Sequence, residues 1–179
     1  MKNIITIISV FLFSFVNAQI GGEYSIDLSA GIEQNGLSGR LGFSYYLSDG
    51  KFLRLSGQVN KEKFTDEDIP VYQYQATLDY YTSLYTEYNK SWIIFVGGGI
   101  LGGYEQINND KKYLPDNREV LAESKFIYGG HIGIEIDKYL FDTGRNMVSL
   151  FVNARENYYF QSDLGNLQFN ITGGIRYSF

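Results

Sequence analysis

The sequence contains no cysteine. That excludes disulfides, thiolate metal sites, a cysteine nucleophile and a lipidated N-terminal cysteine. Proline is scarce, with 2 in 179 residues. No basic run occurs and the formal net charge is −5, so bulk charge gives no reason to expect direct nucleic-acid binding. Past the N-terminus no apolar run is long enough for a transmembrane helix. The longest, Trp92 to Tyr104, is broken by glycines.

Aromatic residues and glycine are plentiful instead: 16 Tyr, 13 Phe and 20 Gly. This composition suits strands and tight turns better than helices. Mean hydropathy is slightly negative. A barrel in a membrane gives such an average, because half of each strand is polar and faces the lumen.

The first residues read as an export signal. Lys2 supplies a short positive region, Ile4 to Phe15 is almost unbroken apolar sequence, and Val16-Asn17-Ala18 offers small residues for cleavage before Gln19. The apolar run falls short of the roughly 20 residues of a membrane-spanning helix. We expect a signal peptide over 1–18 and one barrel domain over 19–179.

Eight segments then alternate with period two, the strand signature. They run Glu23–Gln34, Leu37–Leu47, Lys51–Lys61, Val71–Leu84, Ser91–Glu105, Ser124–Asp137, Asn146–Asn157 and Leu167–Phe179. The last is the cleanest. Leu167, Phe169, Ile171, Ile175, Tyr177 and Phe179 share one face, and Gln168, Asn170, Thr172, Arg176 and Ser178 share the other. The fifth is apolar on both faces, so alternation does not fix its register. The predicted architecture is all-β: an eight-stranded antiparallel up-and-down transmembrane β-barrel.

With the N-terminus in the periplasm, the odd connections lie outside. They are Asn35-Gly36, Glu62 to Pro70, Gln106 to Glu123 and Tyr158 to Gly165. Ser48-Asp49-Gly50, Tyr85 to Lys90 and Lys138 to Arg145 are then periplasmic turns. Outside loops are expected to be longer, and three of the four are. Asn35-Gly36 reads as a type I′ hairpin. Tyr45, Tyr80, Trp92, Tyr128 and Tyr158 suit interfacial girdles. A soluble barrel of lipocalin type has the same alternation with the apolar face inside. The export signal, the even strand count and the C-terminal aromatic favour the membrane form.

The expected interior holds Asp27, Glu33, Arg40, Arg54, Asp79, Glu135, Asp137, Arg155 and Arg176. Eight strands leave a lumen just wide enough for side chains to fill, and buried charges must pair. This points to a salt-bridged plug and a non-conducting barrel. His131 shares its face with Glu135 and Asp137, which permits a His–carboxylate base. Neither Ser124 nor Ser149 is selected as a nucleophile beside it, so an interior hydrogen-bonded His is the expectation. Gly97, Gly99 and Gly102 match G-x-G-x-x-G, but no helix follows to bind phosphate. Asp66-Glu67-Asp68 lacks calcium-loop spacing and reads as a solvated loop. The sequon Asn170-Ile171-Thr172 falls in a strand. No catalytic residue, cofactor, metal or small-molecule substrate is expected.

The second half carries a more specific pattern. Gly102-Gly103-Tyr104-Glu105-Gln106-Ile107-Asn108 ends the fifth segment and Lys125-Phe126-Ile127-Tyr128-Gly129-Gly130 opens the sixth. Tyr139-Leu140 falls in the next turn, Arg155 in the seventh segment, and Gly173-Gly174-Ile175-Arg176-Tyr177-Ser178-Phe179 closes the chain. From Trp92 to Phe179 this order resembles the conjugative transposon protein TraO (conjugal transfer protein TraO) family. The resemblance implies a structural outer-membrane component of a conjugative DNA-transfer apparatus related to type IV secretion, in a Gram-negative bacterium. Its partners would be outer-membrane lipid and other conjugal transfer proteins, and no catalytic residue comes with it. The alternatives are a general outer-membrane barrel, acting as an adhesin or membrane-structuring protein, and a barrel enzyme using His131.

Overall fold

The computed structural model describes residues 22–34, 36–48, 50–63, 69–87, 91–114, 118–142 and 146–179. The expected signal peptide, Asn35 and Asp66-Glu67-Asp68 lie outside them. Eight strands are formed: β1 Tyr24–Glu33, β2 Gly36–Ser48, β3 Lys51–Lys63, β4 Pro70–Thr86, β5 Trp92–Ile107, β6 Lys125–Asp142, β7 Met147–Tyr159 and β8 Leu167–Ser178. Each pairs antiparallel with its sequence neighbours, and β1 pairs with β8 from Ser25↔Ser178 to Glu33↔Asn170. The sheet is a closed barrel with no free edge along its length, which removes the pairing hazard of an open sheet.

Period-two alternation places polar side chains inside and apolar ones outside. Leu28, Leu41, Leu55, Leu78, Ile100, Ile132, Val152 and Ile175 are exposed on the outer wall, while Ser29, Arg40, Arg54, Asp79, His131, Asn153 and Arg176 are buried. A water-soluble barrel reverses this arrangement, since exposing so much contiguous apolar surface to water is unfavourable. The aromatics expected at the interfaces are on the outer wall. Trp92, Tyr80, Tyr128 and Tyr158 are exposed and Tyr45 is half-buried.

Four details depart from the sequence reading. Gly36 pairs with Glu33 and so already belongs to β2, not to the turn expected at Asn35-Gly36. β4 and β6 run longer than expected, and Tyr139-Leu140 belongs to β6 and not to the following turn. The β2–β3, β4–β5 and β6–β7 hairpins each carry a register shift: between Tyr46 and Ser48, Ser83 and Tyr85, and Tyr139 and Phe141. The residue skipped is leucine each time: Leu47, Leu84 and Leu140. Such bulges raise local twist and re-aim side chains at a barrel rim, and all three leucines are exposed. Finally, β5 has one register. Ile93, Phe95, Leu101, Glu105 and Ile107 face inward, and Trp92, Val96 and Ile100 face outward.

Glycine on β5 fits this inward face. A Cβ added at Gly97 would stand 2.6 Å from Tyr81 Cδ1, and one at Gly99 would stand 2.8 Å from Asp79 Oδ1. The glycine run gives room for two large inward side chains of β4, and it lies within a strand, not ahead of a helix.

Candidate functional site

The nine charges expected inside are all buried, none more than 3% exposed. The strands hold them in tiers. At the end that carries the β2–β3, β4–β5 and β6–β7 hairpins lies a largely aromatic floor of Phe52, Tyr81, Ile93 and Phe95, with Tyr46 and Tyr139 against it. Phe52 stacks on Tyr81 (centroids 5.2 Å apart, planes at 16°) and meets Phe95 edge-on at 5.1 Å.

Above the floor three arginines converge on one carboxylate. Arg54 donates two bonds of 2.7 Å to Glu135, Arg176 donates one of 2.6 Å, and Arg40 Nη2 stands 4.0 Å away. Asn153 Nδ2 also donates to Glu135 at 3.1 Å. Arg176 pairs with Asp137, and Arg54 Nε stands 3.3 Å from Asp27 Oδ2. Three arginines thus face three carboxylates. Bidentate geometry such as that of Arg54 is the strong form of this contact. Phe151 lies among the same cations, with the Arg176 guanidinium 4.7 Å from its ring centroid. Taking six charges out of water is costly, and mutual pairing is what offsets it.

Higher in the lumen His131 Nε2 stands 3.2 Å from Asp79 Oδ1. The partner is therefore Asp79 on β4 and not Glu135 or Asp137 of its own strand. Gly99 lies between them in register, paired with both Asp79 and His131. A residue without a side chain lets the two meet across an intervening strand. Neither serine weighed as a nucleophile is beside His131. Ser124 accepts the Ile107 amide at 2.9 Å at the rim opposite the floor, and Ser149 is buried opposite Tyr139 and Arg176. Above His131, Arg155 bonds Gln58, Asn157 and Asn170 bond Glu33, and Gln75 bonds the Tyr159 hydroxyl at 2.8 Å. Among the described residues no group of three His, Cys, Asp or Glu is placed to hold a metal ion.

The mouth opposite the floor is covered. Ile69, Val71, Ile107 and Val120 form a buried apolar cluster, with Leu114, Ala122 and Leu164 packed on it. Three of these, Leu114, Val120 and Ala122, come from the long β5–β6 connection. That connection leaves β5 through Asn108, Asn109 and Asp110, all with φ between 48° and 62°. Asn and Asp tolerate the left-handed region better than other non-glycine residues. Asn108 Nδ2 also donates to the Lys111 and Tyr113 carbonyls at 2.8 and 3.2 Å. Hydrogen bonds from Ser124 and Gln106 hold the Asp110 carboxyl below its usual range.

Glu105, wholly buried at the inner end of this rim, ties down the β7–β8 loop. Its carboxylate accepts from the Asp163 amide at 3.0 Å, the Ser162 hydroxyl at 2.6 Å and Gln73 at 2.9 Å. Lys125 pairs with Asp163 from the neighbouring strand. Glu105→Ala is expected to release residues 160–166 while the barrel stays closed. Three charge-assisted bonds are lost, a local cost of about 2–4 kcal/mol. Hydrogen exchange should rise in that loop and stay unchanged in β1–β3; unaltered protection of 160–166 contradicts this role.

The sequence reading missed both apolar tiers. Its parity already pointed to the floor, because Phe52 shares the face of Arg54 and Tyr81 that of Asp79. The cap had no such signal, since it is built from loop residues and strand ends.

A family model described as conjugative transposon protein TraO matches residues 16–179. None of the curated proteins matches the sequence. Among solved structures, the barrel resembles a major outer membrane protein from Thermus thermophilus, with a TM-score of 0.67 and 15% identity, over 89% of this chain and 100% of that one. It also resembles the N-terminal β-barrel domain of Pseudomonas aeruginosa OprF, with a TM-score of 0.56 and 11% identity, over 89% and 100%. Neisserial surface protein A aligns with a TM-score of 0.56 and 15% identity, over 88% of this chain and 96% of that one. These likenesses show the fold.

Proposed function

The chain belongs to the conjugative transposon protein TraO family, and from that premise we propose that it is a structural outer-membrane component of a conjugative DNA-transfer apparatus. The barrel sits in the outer membrane and anchors or contacts other transfer proteins through its loops and turns. It is exported by a cleaved signal peptide, does not conduct, and is not an enzyme. The observation that carries this reading is an outer wall that is apolar between two aromatic belts, around a lumen packed from floor to cap.

The tiers support non-conduction. An ion entering the lumen would have to displace three arginines from Glu135, and then pass Phe52 stacked on Tyr81. Eight-stranded barrels leave only enough width for side chains. Against enzymatic use of His131, its partner Asp79 is as deeply buried as it is, and Ser124, weighed beside it, is engaged with the Ile107 amide.

Deleting the gene from a donor strain is expected to abolish transfer, to leave uptake of small antibiotics unchanged, and to be rescued by His131→Ala as well as by the wild type. Membrane fractionation should recover the protein with the outer membrane. Undiminished transfer by the deletion strain, with normal outer-membrane recovery of the wild type, would instead support the reading as a general barrel outside any transfer system.

A further inference from the structure

The long β5–β6 connection seals the mouth with one side only. From Glu119 to Ser124 burial alternates as in a strand. Val120, Ala122 and Ser124 turn toward the barrel, and Glu119, Leu121 and Glu123 are exposed. Val120 and Ala122 belong to the apolar cap, and Ser124 accepts the Ile107 amide. Leu121 is left 88% exposed, more than any other large apolar side chain among the described residues. Its neighbours on that face are two carboxylates, which enter hydrocarbon only at heavy cost. Leu121 therefore lies in water, and the lipid-facing wall does not account for it.

The backbone of the same segment has a free edge. Its other edge pairs antiparallel with the start of the connection around the Tyr113↔Glu119 bridge. There the Leu114 amide donates to the Arg118 carbonyl at 2.9 Å and the Val120 amide to the Lys112 carbonyl at 2.8 Å. Along an extended chain alternate residues direct N–H and C=O to opposite edges. Glu119 and Leu121 thus direct theirs away from Tyr113, and among the described residues neither makes a backbone–backbone hydrogen bond. Closure leaves the barrel wall without an edge; this edge lies outside the wall. Unpaired edges are templates for strand addition.

We propose that this edge takes up an extended segment of a partner protein, with an apolar residue beside Leu121 and a basic residue on either side of it. The exposed face selects the occupant. A second copy added antiparallel about Leu121 would set Glu119 opposite Glu123 at both ends, and like charges directly opposite are destabilising. A segment that alternates basic, apolar and basic at every second position meets Glu119, Leu121 and Glu123 with a complementary side chain each time. Lys112 pairs with Glu119 at 3.0 Å, but both side chains are exposed, so the contact is weak and an incoming cation can share it. The inference rests on the reading of the loops as contact surfaces of the transfer apparatus, and it names the kind of segment one of them takes.

The test uses the whole mature protein in detergent micelles and a short synthetic peptide, Thr-Lys-Thr-Val-Thr-Lys-Thr, blocked at both ends. One control peptide has glutamate in place of lysine. The other carries N-methyl groups on its valine and lysine amides, the donors of the pairing edge. The lysine peptide is expected to bind and to slow hydrogen exchange at the Glu119 and Leu121 amides. Charge reversal should weaken binding about ten-fold or more, because two cross-strand pairs turn repulsive. N-methylation should weaken it about as much, through lost backbone hydrogen bonds. Leu121→Pro removes an N–H from the free edge and should lose the peptide, while Leu121→Ile should keep it. Slow migration of unheated samples confirms that each variant is folded. Absence of binding, or equal binding of the N-methylated peptide, overturns the proposal. Equal binding of the glutamate peptide overturns the charge selection. Dimers of the protein alone that Leu121→Pro dissolves would assign the edge to a second copy and overturn it as well. In mating assays Leu121→Pro should lower transfer. Wild-type transfer by this variant, where deletion of the gene abolishes transfer, sinks this inference alone. Undiminished transfer by the deletion strain sinks the underlying reading instead.

Discussion

Glu135→Ala is expected to lower the unfolding free energy by about 3–5 kcal/mol, the cost of stripping a buried ion-pair network of a shared partner. The reason is arithmetic of charge. Arg54, Arg176 and Arg40 surround Glu135, and its removal leaves three buried guanidinium groups facing only Asp27 and Asp137. Repulsion among the arginines, now less compensated, acts across a low-dielectric interior. Glu135→Gln keeps the shape and some hydrogen bonds, so its loss should be smaller. Urea unfolding in micelles, followed by the mobility of unheated samples, measures both. A change below about 1 kcal/mol for alanine, within the range of an exposed ion pair, would mean that water screens this tier, contrary to its burial. Replacing Glu135 and its arginines together by apolar residues is expected to cost far less than the single alanine, because no unpaired charge remains.

Phe52→Ala should have the second large effect, also about 3–5 kcal/mol, from lost burial and the cavity left behind. Phe52 touches three rings and lies under two cations: Tyr46, Tyr81 and Phe95, with the Arg54 guanidinium at 4.9 Å and that of Arg176 at 5.3 Å. The floor therefore supports the charged tier as well as filling space. Despite that loss, planar-bilayer recordings should stay silent, because the arginine–carboxylate tier still fills the lumen above. Single-channel steps in Phe52→Ala would show that the aromatic floor alone closes the barrel. Phe52→Leu, which keeps most of the volume, should recover much of the stability.

The two variants separate contributions that the fold combines. Glu135 acts through charge that must be matched inside an eight-stranded wall. Phe52 acts through volume at the point where polar alternation gives way to rings. Their effects concern whether the barrel stands, not what it binds.

Alternation made much of this legible in advance. In β8, Leu167 to Phe179 separate cleanly into two faces, and the structure keeps that split. All nine interior charges followed from the same parity. The strip Trp92 to Tyr104 was illegible because both faces are apolar. Its register was settled by neighbours: Tyr81 and Asp79 need the space that Gly97 and Gly99 leave. The ends of strands were misjudged where bulges intervene. Leu140 breaks the period, so Tyr139-Leu140 looked like a turn although pairing continues to Asp142.

By itself the sequence determined that the chain forms an eight-stranded barrel with charges inside and an apolar wall outside, because side-chain direction along a strand is a local property. Which charges meet was decided only by closure. Arg54 and Glu135 are 81 residues apart, and Arg176 and Asp137 are 39 apart. Their contact depends on the wall curving until opposite strands face each other across the lumen. His131 shows this most plainly. Its own strand offered Glu135 and Asp137, yet its partner is Asp79, two strands away over a glycine. Pairing inside a closed sheet follows register and curvature, and neither can be read from the spacing of residues within one strand.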